Sequence, residues 1–237
     1  MSRAYVKVTA EKLKNRDRRI KRIYRSLIVL IVLLIFFFAI LSLVYQGGDF
    51  IITLDPQFSL KSGLKMYEDN ELKDSKIKLY AKGLDFMDNI SIKWLPDDLD
   101  KHRGGSHNGE NYIAYTFYIE NTGEKPVNYW YEVNIIDVVK NVDEAVRIKI
   151  IRNEETTVYA KINAQTNEAE EGTKVFYNEE IAVLEKRSQI QPNETDKYTL
   201  VMWIEGDDPD CLDNLIGGEL KAKVRIIESH IEGADKE

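Results

Sequence analysis

The sequence predicts a mainly β protein: a single N-terminal transmembrane helix followed by an antiparallel β-sandwich, jelly-roll or immunoglobulin-like, outside the membrane. Three observations carry this. Residues 26–45 (SLIVLIVLLIFFFAILSLVY) hold no charged residue. Beyond residue 75, segment after segment alternates apolar and polar side chains, the mark of a half-buried strand. Turn-forming pairs separate those segments: Gly104-Gly105, Asn108-Gly109, Asn121-Thr122-Gly123, Pro192-Asn193 and Gly217-Gly218.

Residues 1–25 form a basic tail with ten Lys/Arg and two acids, Glu11 and Asp17, a net +8. As a helix, the 20-residue run of residues 26–45 covers roughly 30 Å, the thickness of a bilayer's hydrocarbon core. Arg16, Arg18, Arg19, Lys21, Arg22 and Arg25 crowd its N-terminal flank. By the positive-inside rule the tail lies in the cytoplasm and the rest of the chain outside the plasma membrane. The run exceeds a signal peptide's apolar core, and Leu43-Val44-Tyr45-Gln46 lacks small residues at a cleavage position, so it reads as an uncleaved anchor. Residues 7–25 extend the same helix.

Residues 46–58 read as a short stalk with an extended piece, opened by Gly47-Gly48, and residues 59–237 as the β domain. The alternating segments are residues 112–120, 127–135, 145–151, 197–205 and 219–227. Shorter candidates are 76–81, 90–94, 157–162 and 181–187. Asn108-Gly109 suits a type I′ turn. Short helices are expected at 84–89 and 210–216.

Residues 46–237 hold 23 basic and 38 acidic residues, a net −15. Such a domain lacks the basic stripe that phosphate binding needs, so nucleic acid is excluded as a partner. One cysteine, Cys211, excludes a disulfide framework and Cys-based zinc sites; it reads as a covered free thiol. Three histidines, His102, His107 and His230, leave few general bases. HExxH, GxSxG and Walker motifs are absent, and the SxxK strings at Ser62 and Ser75 lack companion elements. No catalytic set is expected, and no cofactor beyond one candidate ion. That candidate is the loop holding Asp207, Asp208, Asp210 and Asp213, four carboxylates within seven residues. Oxygen ligands of this kind suit Ca²⁺, although the spacing is not an EF-hand; the plainer reading is a turn in which Asp208 or Asp210 caps a short helix. His102, Arg103 and His107 lie in a glycine-containing connection, residues 101–110.

The strings YTFYIENTGEKPVNYWYEV and QPNETDKYTLVMWIEGDDPDCLDNLIGGELKAKVRI resemble the TasA/camelysin-type surface proteins of Gram-positive bacteria, over residues 110–228. The first looks like the strand–NTG–strand hairpin of many bacterial envelope β-sandwiches. The resemblance implies a jelly-roll-like sandwich and, for some members, fibres built by strand exchange. It implies no zinc site here, because no zinc motif is present to receive one.

The expected function is therefore non-enzymatic contact with an envelope or membrane protein, through a sheet face or edge. Residues 112–120 and 197–205 are the candidate strands, with Tyr118, Trp130 and Trp203 as anchors. The alternatives are a sensing or accessory subunit of a membrane complex, and an envelope hydrolase.

Overall fold

The structure, a computed structural model, describes residues 2–45, 50–84 and 86–228. It divides into two compact units at Gly47/Gly48. The Gly47-Gly48 pair and His230 lie outside the described residues.

The first unit is one helix, α1 (Ser2–Tyr45), so the basic segment and the apolar run share a continuous backbone. Its stretch Arg18–Ile40 is long and apolar enough to cross a membrane, with a mean hydropathy of 2.8. Apolar side chains are exposed all round it, from Leu27 at 50% to Phe38 at 73%. A helix apolar on every face needs an apolar surrounding.

The second unit begins with β1 (Phe50–Leu54), α2 (Pro56–Ser62), β2 (Leu64–Tyr67), β3 (Lys78–Ala81) and β4 (Gly105–Ser106). It continues with β5 (Ile113–Asn121), β6 (Val127–Val139), β7 (Val146–Arg152), β8 (Glu155–Ala160) and β9 (Lys174–Val175). Last come β10 (Ile181–Ile190), β11 (Thr195–Ile204) and β12 (Glu219–Ile227). One sheet runs β10-β6-β12-β1-β3; the other runs β2-β5-β11-β7-β8-β9, with β4 also on β5. Their inner faces share one core, which includes Ile52, Phe117, Tyr129, Val133, Ile148, Leu200 and Val224. Burying alternate residues of both sheets is what a sandwich does with period-two sequence.

The extended piece expected in the stalk is β1, a central strand with Ile52 fully buried. The helix after it was not foreseen, although its signals are present. Asp55 accepts the Phe58 N–H at 2.8 Å, Pro56 opens the first turn, and Gly63 closes the helix in the left-handed region at φ 79°. A Cβ at Gly63 would lie 2.7 Å from the Gly123 Cα, so glycine is needed here twice over.

Several expectations are corrected. The sheets are not wholly antiparallel: β1 pairs parallel with β12, and β8 with β9. β1 and β12 come from opposite ends of the domain sequence, so no tight hairpin dictates their direction. The NTG segment joins no hairpin, because β5 and β6 belong to different sheets. Asn121 holds this crossover: its Nδ2 donates to Lys125 O at 2.8 Å and Ile190 O at 2.9 Å, and its Oδ1 accepts from Gly123 N at 2.9 Å. Asn108-Gly109 is not type I′, since neither residue has positive φ. Residues 90–94 form a bridge at Ile90 and a 3-10 turn rather than a strand. The described part of 84–89 is not helical, and 210–216 holds only the 3-10 turn Asp213–Leu215.

The outer faces differ. β12 alternates between buried and half-exposed residues, so the β12 side of the molecule meets solvent. β5 and β11 are buried almost continuously, because the long connection before β5 folds over them. Ile90, Leu95 and Leu99 from that connection pack on Ala114, Val201 and Trp203 in a second apolar cluster.

Candidate functional site

The acidic loop after β11 is built around a cation that the protein supplies. Arg147, on β7, is 4% exposed. Its guanidinium touches Asp208 Oδ2 and lies 4.0 Å from Glu170. Asp208 Oδ1 accepts the Asp210 N–H at 2.8 Å, an Asx turn rather than a helix cap. Asp210 accepts the Ala164 N–H at 2.9 Å, and Asp207 accepts the Ser91 hydroxyl at 2.7 Å. Of the four expected carboxylates, only Asp208 and Asp210 converge, and Glu170 joins them, with candidate oxygens within 4.8 Å of one another. Asp213 stands apart in its 3-10 turn. Glu170 lies far away in sequence and was not foreseen.

Trp203 is not a surface anchor: it is 0% exposed, and its indole N–H donates to Glu205 at 3.0 Å. Tyr118 is 7% exposed and donates to Arg103 O at 2.8 Å. The reason is the covering connection over the outer face of β5 and β11. The signal was the unbroken apolar run Leu200–Ile204, which fits a strand covered on both faces. Trp130 is half-buried on the outer face of β6, with the Lys186 ammonium 6.0 Å from its ring centre. Neither candidate strand is an edge: β11 lies between β5 and β7, and β5 between β11 and the β2/β4 pair. Cys211 is a half-buried free thiol whose sulfur accepts from the Asn89 amide at 3.2 Å.

The glycine-containing connection is tied down. His102 and His107 stack at 3.9 Å with 5° between planes. His107 Nε2 meets Thr116 Oγ1 at 2.9 Å, which in turn meets Thr199 Oγ1 at 2.8 Å. Burial, with the neighbouring His102 charge second, pushes the His107 imidazole down to about 4. The unfolded chain, near 6.5, therefore binds this proton first as pH falls. The stability contributed is full above about pH 6.5 and drains away toward pH 4. In melts of the full chain, wild type should lose ground to a His107→Gln variant across that window, and the gap should be constant above pH 7. A gap independent of pH would show that His107 is not held neutral.

A buried polar network that the sequence reading missed joins the sheets. Tyr129 donates to Asp196 Oδ2 at 2.6 Å and shares a 2.8 Å bond with the Tyr198 hydroxyl. Arg187 Nε donates to Asp196 at 2.8 Å, and Asn153 at 3.1 Å. Burial first, then the neighbouring phenol or carboxylate, raises Tyr129 well above its ordinary range; burial likewise raises Tyr198. Both phenols are closed off from solvent, at 0% and 2% exposure, so this network fixes the packing of the sheets and offers no reagent to a substrate. The void beside it, lined by Phe117, Tyr131, Val133, Ile150 and Leu200 among others, is apolar.

Comparison with protein-family models, curated proteins and solved structures gives no match for this chain.

Proposed function

We propose that this chain is a membrane-anchored, non-enzymatic protein of the cell envelope. In this reading α1 spans the plasma membrane with its arginine-rich end in the cytoplasm. The β domain works outside, by contact with another envelope or membrane protein. The observation that carries the reading is α1 itself, whose apolar side chains from Leu27 to Phe38 are exposed on every face.

The form of contact follows from the edges. β10 is the one long edge strand among the described residues, and it is guarded: Lys186 and Arg187 lie in it, and its register with β6 shifts twice. Bulges and charge on an edge oppose pairing with another chain. The opposite edge, β3, has four residues, and β9 has two. These features favour contact through a face over strand exchange, and the solvated outer face bearing Trp130 is the one available for it.

Membranes from cells expressing the full chain test the anchor. Alkaline carbonate should leave the protein in the pellet. Protease added to wall-stripped cells should degrade the β domain and spare the tail. Release by carbonate, or a protected β domain, would defeat the reading.

A further inference from the structure

We infer that one end of the β domain is a lipid-contact surface, resting in the outer headgroup layer of the membrane. The inference rests on the reading of α1 as a membrane span.

The end in question is where β1 starts. Phe50 pairs with Ala81, the last residue of β3. Along the neighbouring strands the same end holds the start of β12 opposite the end of β6, with Glu219 paired to Val139. In the other sheet it holds the end of β11 opposite the start of β7, with Ile204 paired to Val146. The short link from β6 to β7 ties the two sheets there, and Glu205 N donates to Ala145 O at 2.8 Å.

Leu60, in α2 at the far end, is the most exposed large apolar side chain among the described residues of the domain at 89%, but the next most exposed gather around this end. Ile136 is 62% exposed near the end of β6. Leu212 at 57% and Ile216 at 70% lie in the connection from β11 to β12. Phe86 at 73% and Trp94 at 74% belong to the connection that meets β11 at Ile90. Trp94 stands in the 3-10 turn beyond that bridge, whose backbone is pinned where Ile92 N donates to Glu205 at 3.0 Å. The far end shows chiefly Leu60 and Ile77. Isolated exposed apolar residues need no explanation, but several at one end, with an aromatic ring among them, mark an interaction surface.

Chain length selects lipid as the occupant. Residues 46–49 alone separate Tyr45, the last residue of α1, from Phe50. Five Cα steps reach at most roughly 17 Å. If α1 spans the bilayer, this end cannot stand far from it, and the headgroup layer is where tryptophan and mixed apolar surface are favoured. The same end carries Asp207, 3.8 Å from Lys93, and Lys140, whose ammonium donates to Ile216 O at 2.6 Å. The attraction is therefore apolar and does not depend on anionic lipid.

Tryptophan quenching in nanodiscs tests this with the full chain. The discs contain phosphatidylcholine, with or without a nitroxide on the headgroup. The chain has three tryptophans and none in α1. Wild type should lose roughly a third of its emission to the nitroxide, the share of one interfacial tryptophan in three. Trp94→Phe should lose almost none. Leu60→Trp in the Trp94→Phe background, which puts the probe at the far end, should stay unquenched. Equal losses in wild type and Trp94→Phe, or quenching at position 60, would overturn the inference and leave this end to a protein partner. Quenching that appears only when phosphatidylglycerol is added would overturn its apolar basis. Failure of the chain to enter nanodiscs would instead sink the anchor, and the inference with it.

Discussion

Replacing Asp196 with alanine is expected to destabilise the β domain by about 3–5 kcal/mol, the range for removing one partner of a buried charge pair. The carboxylate is fully buried and receives four groups at once: the Tyr129 hydroxyl, the Arg187 Nε–H, the Arg187 Nη2–H and the Asn153 amide. Tyr129 and Arg187 come from one sheet, Asp196 from the other. Truncation therefore leaves the Arg187 guanidinium, whose side chain is 18% exposed, with only Glu194 to balance it. It also leaves two phenols in the core sharing a single bond. In a domain of this size the loss corresponds to a melting temperature lower by roughly 10 °C. Near-ultraviolet circular dichroism of the full chain in detergent reads it, because the tyrosines concerned are themselves the chromophores. Tyr198→Phe, which removes one hydroxyl and no charge, should cost only about 1 kcal/mol. Comparable losses for the two variants would mean that the carboxylate does not organise the network.

What could be read from the sequence follows from what each pattern encodes. Strands with one wet face declared themselves: residues 219–227 were delimited to the residue because Lys221, Lys223 and Arg225 alternate with Ala222, Val224 and Ile226. Alternation reports a boundary between core and water, and β12 has that boundary along its whole length. β11 has none, since a segment about a hundred residues upstream covers its outer face. Assigning that face to solvent put Trp203 and Tyr118 on the surface. Coverage by a distant segment is tertiary information, and the run Leu200–Ile204 was its only local trace. β2, β4 and β9 are too short to show a period, and each is held by the register of its neighbour. The polar centres were half visible. Tyr129 and Tyr198 fall within the alternating segments 127–135 and 197–205, and a buried phenol implies a partner. Their partner, Asp196, sits one residue outside the alternating segment that was recognised. The acidic loop was found, but the arginine that neutralises it was not, because Arg147 reads as an ordinary outward residue of β7.

That arginine sets the second large effect. Arg147→Met is expected to destabilise the domain by about 3–5 kcal/mol. Asp208, whose side chain is 0% exposed, would lose its counter-ion and keep only the Asp210 N–H. The paired variant Arg147→Met with Asp208→Leu should recover most of the loss, since exchanging both members of a buried ion pair for apolar groups of similar size is often neutral. This separates an orphaned charge from a merely damaged core, in which the second substitution would add to the harm. The same geometry fixes the expected response to Ca²⁺. In wild type the guanidinium already lies among the oxygens of Asp208 and Glu170, so millimolar Ca²⁺ should leave the melting temperature unchanged. In Arg147→Met the oxygens of Glu170, Asp208 and Asp210 remain within 4.8 Å of one another without a resident cation, and Ca²⁺ should raise the melting temperature of that variant. A Ca²⁺-dependent rise in wild type, abolished by Asp210→Ala, would show that the loop holds a metal despite the arginine.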